Sequence, residues 1–176
     1  MNETIAASLP ETCDILSAFR LPRWAELPDL PLYMDQVLGL IERYLGAYPG
    51  FDKKGLTSSM VNNYVKLGVM PPPVKKKYTR SHLAYLIVIC LLKASLPIAA
   101  IRALIAGAAE NAPEQALYER FCEAFERSNR AAAEKALAEA AEAADDLSPL
   151  WHAALRSQAE QAIARTLVDS CSGKAE

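Results

Sequence analysis

Leu56-Thr-Ser-Ser-Met-Val-Asn-Asn-Tyr-Val-Lys-Leu-Gly68, continued by Val69-Met-Pro-Pro-Pro73 and Lys75-Lys-Lys-Tyr78, decides how this chain is read. Wound at about 100° per residue, Asn62, Asn63 and Lys66 fall within an arc of roughly 100° about Ser59. Met60, Val61, Tyr64, Val65 and Leu67 fill the remaining circle, so a helix over 58–67 has a narrow polar face and a broad apolar one. Thr57 and Ser58 are both suited to cap it, because their hydroxyls accept from unpaired first-turn amides. Gly68 suits the left-handed residue that ends a helix, and three prolines beyond it forbid continuation. A short basic connection follows, then at once a new helix. That order lets a protein lay one helix in the major groove of DNA and brace a basic wing on the backbone beside it. An ordinary amphipathic surface helix has the same two faces; two adjacent Asn, poor helix formers, argue for a task.

The residue types fit base reading. Asn can bond N6 and N7 of adenine together, and Ser can serve either base edge, which makes Ser59, Asn62 and Asn63 the candidate base readers. Candidate backbone contacts are Lys53, Lys54, Thr57, Ser58, Lys66, Lys75, Lys76, Lys77, Tyr78 and Arg80. The overall charge is −2, but residues 51–109 carry +8 between an N-terminal part at −4 and a C-terminal part at −6. A basic middle between acidic ends is the footprint of a polyanion-binding module. Lys75 to Lys77 would supply non-specific phosphate attraction and no sequence information.

Met60-Val-Asn-Asn-Tyr-Val-Lys-Leu-Gly-Val-Met-Pro-Pro72 resembles the second helix of the winged helix-turn-helix in MerR-type regulators. Tyr78-Thr-Arg-Ser-His-Leu83 resembles that family's entry into its third helix. Leu96-Pro-Ile-Ala-Ala-Ile-Arg-Ala-Leu-Ile105 resembles the helix that closes the domain. This likeness covers roughly residues 32–106. A closer one, from Leu21-Pro-Arg-Trp-Ala-Glu-Leu-Pro28 through Ile105, is to the bacterial family called domain of unknown function 1836, itself regarded as MerR-like. Where MerR-type proteins carry Arg-Tyr-Tyr, this chain has Asn62-Asn63-Tyr64, and its wing, Pro73 to Tyr78, is short. The long dimerising helix of the MerR pattern is not evident in its usual form. The resemblance implies an all-α protein with a MerR-like winged helix-turn-helix core, a short basic wing and Ala-rich C-terminal helices.

Outward from this centre, residues 1–31 form an N-terminal arm, 32–109 the DNA-binding domain, and 110–176 a helical region for dimerisation or effector binding. In the arm, four prolines leave one short helix near Glu11 to Phe19, with Trp24 anchored on the core. Helix 32–46 carries Val37, Leu38, Ile41 and Leu45 on one face. Thr79 or Ser81 caps helix 80–94, whose ten-residue apolar run from Leu83 to Leu92 is half a membrane span and reads as a central buried helix. Pro97 starts a helix to about Ala106. Helix 113–128 lines up Leu117, Phe121 and Phe125, flanked by Tyr118 and Cys122. Residues 130–145 are Ala-, Glu- and Lys-rich with strong helix propensity. Helix 149–170 is expected to turn Trp151, Leu155, Ile163 and Leu167 inward.

Catalytic groupings are thin. His82 and His152 are the only histidines, both expected near the surface, with a phosphate contact open to His82. Cys13, Cys90, Cys122 and Cys171 form no Cys-x-x-Cys pair, which argues against zinc; Cys90 reads as core packing. Reduced thiols and the absence of a secretion leader point to the cytoplasm. Asp145-Asp146 reads as a solvated helix-terminal pair. No cofactor, metal or membrane is expected, and an enzyme is the least favoured class. The expected function is a sequence-specific transcriptional regulator bound to double-stranded DNA as a homodimer. A rival is a helix-turn-helix-shaped module docking an acidic protein partner. Small-molecule sensing at the C-terminal helices, in a pocket of Phe121, Phe125 and Trp151, is compatible with the first.

Overall fold

The computed structural model describes residues 2–110, 112–142 and 148–172. Asp145-Asp146 and the Cys171 side chain lie outside what it describes. Seven helices appear among the described residues: α1 (Asn2–Ala18), α2 (Met34–Leu45), α3 (Ser58–Lys66), α4 (Arg80–Leu92), α5 (Ile98–Ala109), α6 (Glu114–Ala141) and α7 (Ser148–Ser172). A 3-10 turn spans Trp24–Glu26. The described residues hold no strand, only two isolated antiparallel bridges, Leu32 with Tyr78 and Val74 with Lys77. None of their helices is long and apolar enough to cross a membrane.

α4 is the axle of the core. Leu83, Leu86, Ile87, Ile89 and Cys90 are all buried, so the helix is covered on nearly every side, as its unbroken apolar run requires. Val37, Ile41 and Leu45 of α2 enter the same core, along with Val61 and Tyr64 of α3 and Ile101 of α5. Leu38 is only partly buried. Apolar periodicity on α2 thus translated directly into packing.

The arm is built in, not laid on. Leu21 and Leu27 are fully buried, and Trp24 packs against the core as expected. The partner that holds the arm is Glu126 on α6. Its carboxylate accepts from the Leu21 amide at 3.1 Å and from the Arg23 guanidinium at 2.7 Å. Around it, the Tyr118 hydroxyl donates to the Pro22 carbonyl at 2.9 Å, and the Trp24 amide donates to Glu119 at 2.8 Å. Glu126 is 9% exposed. A carboxylate that deep is tolerable because an amide and a guanidinium satisfy both of its oxygens.

Three expectations are corrected here. α1 runs from Asn2 and passes through Pro10, rather than starting near Glu11. Residues 114–141 are one continuous helix. Its innermost line is Tyr118, Cys122, Glu126, Asn129 and Ala133, one position round from the expected Leu117, Phe121 and Phe125. Phe125 instead joins an aromatic cluster, with ring centroids 6.2 Å from Phe19 and 5.1 Å from Tyr48. On α7, Trp151, Leu155, Ile163 and Leu167 point outward; Trp151 is 61% exposed. The opposite face of α7, carrying Ala164 and Val168, meets the core.

Candidate nucleic-acid interface

α3 begins and ends as its sequence demands. The Thr57 hydroxyl accepts from the Met60 amide at 3.3 Å, satisfying one of the unpaired first-turn donors. At the other end Gly68 sits at φ +66°, its amide donating to the Val65 carbonyl at 3.0 Å, while the Val69 amide donates to the Tyr64 carbonyl at 2.9 Å. That pair of bonds is a Schellman stop, and the buried Val69 and Tyr64 side chains supply its apolar contact. With Val61 and Tyr64 buried, the helix can show only its other face to solvent. Ser58, Ser59, Asn62, Asn63 and Lys66 are all exposed. Leu67, assigned to the apolar side, is exposed as well. Burial raises the Tyr64 phenol to about 12, with the neighbouring Cys90 adding to it, and pushes the Cys90 thiol up to about 11, so neither ionises at neutral pH.

Val69 and Met70 are buried and lead straight from α3 into the basic connection. That connection is a two-residue hairpin. Val74 and Lys77 exchange both backbone bonds, at 3.1 and 3.0 Å, and the two central residues, Lys75 and Lys76, have φ of 50° and 63°. Positive φ at both positions is the pattern of a type I′ turn, where Asn-Gly is the favoured pair. Here two lysines occupy those positions. Their side chains are exposed, and the Lys77 ammonium lies 5.2 Å from the Tyr33 ring. Among the described residues no carboxylate pairs with Lys53, Lys54, Lys66, Lys75, Lys76 or Lys77. Lys53 and Lys54 lie in a tight turn, where the Lys54 amide donates to the Asp52 carboxylate at 3.0 Å and Gly55 takes φ +66°.

Two of the proposed backbone-contact side chains are engaged within the protein. Tyr78 is 3% exposed: its amide and carbonyl pair with Leu32 at 2.8 Å each, and its ring meets His82 edge-on at 5.4 Å. A phenol held in that position cannot reach a phosphate. Arg80 turns toward the arm, donating to the Leu27 carbonyl at 3.0 Å and lying 5.9 Å from the Trp24 ring, with Asp29 at 3.6 Å.

His82 is corrected too, being 4% exposed rather than on the surface. The Thr79 amide donates to its Nδ1 at 3.0 Å, which makes Nδ1 an acceptor. The remaining ring nitrogen, Nε2, then carries hydrogen and faces the Pro72 carbonyl at 3.4 Å. One imidazole thereby caps α4 and hangs the hairpin from it. A helix-capping histidine leaves little trace in sequence, since Thr79 alone looks like a sufficient cap. His152 is exposed, as expected.

A basic hairpin pinned to the helix that follows α3, with a buried arm beneath, covers the region in which a family is recognisable. Residues 22–124 match the family described as domain of unknown function (DUF1836). The chain belongs to that family. The match begins inside the arm and ends within α6, so it takes in α2 to α5 whole and stops short of Glu126. No curated protein and no solved structure matches the chain.

One cavity, of about 340 Å³, opens between α4, α5, α6 and Trp24. Of the pocket residues expected from sequence, only Phe121 lines it; Phe125 sits in the aromatic cluster and Trp151 faces solvent. Among the described residues, no group of three or more His, Cys, Asp or Glu side chains could hold a metal ion.

Proposed function

We propose that this DUF1836 protein is a sequence-specific DNA-binding transcriptional regulator with a MerR-like winged helix-turn-helix. α3 lies in the major groove, with Ser59, Asn62 and Asn63 at base edges. Lys66, Lys75 and Lys76 hold phosphates on either side, and Lys53, Lys54 and Lys77 extend the basic strip. Ser58 and Thr57 add contacts at the helix start, where the macrodipole favours an anion. The observation that carries this reading is the polar face of α3, exposed and followed directly by a lysine hairpin free of carboxylate partners.

The protein reads DNA as a homodimer, since two-fold protein symmetry matches two half-sites. The dimer contact is the outer stripe of α7. Trp151, Leu155, Ile163 and Leu167, each more than 60% exposed, leave on the order of 450 Å² of mainly apolar surface in water, comparable with the largest patch on a typical monomer. Joining two copies isologously would remove about 900 Å² in total before Leu150 is counted, close to the ~1,000 Å² that a specific interface needs. The exposed Val74 and Tyr33 beside the hairpin favour the second reading, a module docking an acidic protein through the same basic face.

Selection of bound duplexes from a random pool separates the two. The regulator reading expects an enriched site with dyad symmetry whose binding falls steeply with salt. Recovery of unselected sequence, with binding no tighter than to random duplex, would overturn it in favour of the protein partner.

A further inference from the structure

We propose that the cavity between α4, α5 and α6 is a binding site for a small apolar amine, its ammonium group held by Glu114. The walls are hydrocarbon and aromatic: Val88 of α4, Leu104 and Ala108 of α5, Phe121 of α6, and Trp24 from the arm. At about 340 Å³ the space lies at the low end for small-ligand sites and is too small for a docked helix. An apolar void that opens to solvent exposes surface the fold has no use for, and an apolar ligand body would cover it.

The polar content of the cavity is concentrated at one point. Among the described residues Glu114 is the only carboxylate or cation lining it. Its Oε2 accepts from the Ser81 hydroxyl at 2.6 Å and its Oε1 from the Tyr85 hydroxyl at 3.2 Å. Glu114 is exposed at the cavity mouth, where two neutral donors orient its carboxylate and each oxygen keeps a lone pair for a further N–H donor. No lysine or arginine among the described residues pairs with it. Glu114 also occupies the first turn of α6. A cation arriving there finds an oriented anion together with the ring of Tyr85, whose face attracts positive charge. An anionic ligand would meet an unpaired carboxylate instead and be repelled.

The site also touches what supports the candidate DNA face. Ser81 is in the first turn of α4, directly after the hairpin, and Trp24 carries Arg80 on its ring. An occupant therefore bears on the start of α4, from which His82 suspends Pro72. This coupling rests on the DNA reading; the binding site does not.

Calorimetric titration of the full chain with three shape-matched probes tests the site: 4-phenylbutylamine, 4-phenylbutanol and 4-phenylbutanoate. The expected order is amine tightest, alcohol next, and acid at least tenfold weaker than the amine. Glu114→Gln should level amine and alcohol, since it keeps the size and shape of the side chain and one of its two acceptors and removes the charge. Ala108→Trp, checked for folding by circular dichroism, should abolish all three. Equal binding of the three probes, no binding of any, or an amine preference that survives in E114Q would each overturn the assignment. If the amine binds as described but random-pool selection returns no duplex, the ligand site stands and only its coupling to DNA falls.

Discussion

Replacing Lys75-Lys76 by Asn-Gly should make the protein more stable and a poorer DNA binder at the same time. Both lysines occupy left-handed backbone, at φ 50° and 63°, a conformation that costs an L-residue about 1–2 kcal/mol. Asn tolerates that region better and Gly is indifferent to it, but Gly also gives back about 0.5–1 kcal/mol through the freer unfolded chain. The net gain is then ~1–2 kcal/mol, which for a chain of 176 residues raises the melting temperature by roughly 2–8 °C. On DNA the same variant loses two phosphate contacts, so the slope of log K against log salt should flatten by about 1.8. Lys77→Ala is the control: Lys77 lies outside the positive-φ pair, so it should lower affinity without raising stability. Scanning calorimetry and salt-dependent fluorescence anisotropy read the two effects separately. A double variant that melts at or below the parent temperature would refute the strained turn. One that keeps the parent salt slope would refute the phosphate role of its lysines.

Asn62→Ala should reduce discrimination between selected and random duplex by ~1–3 kcal/mol, measured by competition, while leaving non-specific affinity in place. Leu155→Glu with Ile163→Glu should convert a dimer to a monomer in sedimentation velocity; a dimer that persists would place the contact elsewhere. Glu126→Ala should cost about 3–5 kcal/mol in urea unfolding, because it strands the partly buried Arg23 and frees the arm. For Tyr64, a folded-state value raised by burial to about 12 means the neutral phenol is stabilised by folding. That stability is complete below the usual phenol range, near pH 10, and disappears as pH climbs toward 12. Tyr64→Phe should therefore move the midpoint of alkaline unfolding upward, partially, since burial also raises Tyr48 and Tyr118.

The middle of the chain was legible because its signals are local and mutually consistent. Thr57, Gly68 and the prolines bracket α3, and the apolar run of α4 admits one reading. The ends were harder for definite reasons. Pro10 was read as a barrier, yet it removes a single ladder bond and α1 continues through it. The bulky line on α7 was recognised as a line, but periodicity cannot say whether its cover comes from the same chain. Glu126 and Asn129 sit in a stretch rich in alanine and charge, where a carboxylate reads as solvated; only tertiary approach, of the arm to Glu126 and of Tyr48 to Asn129, makes them interior. The candidate site divides the same way. Ser59, Asn62, Asn63 and Lys66 are exposed by simple helical geometry. Tyr78 and Arg80 were drawn away by partners at Leu32 and Leu27, which no spacing rule reaches.

The carboxylate that grips the arm lies at position 126, two residues past the limit of the family match. A recombinant fragment trimmed to 22–124 would keep α2 to α5 and lose Glu126, with its bonds to the Leu21 amide and the Arg23 guanidinium. Solubility or activity trials on such a piece would then report on a loosened molecule. Expression boundaries for this chain are better drawn beyond Asn129, whose side chain meets the Tyr48 hydroxyl at 3.4 Å.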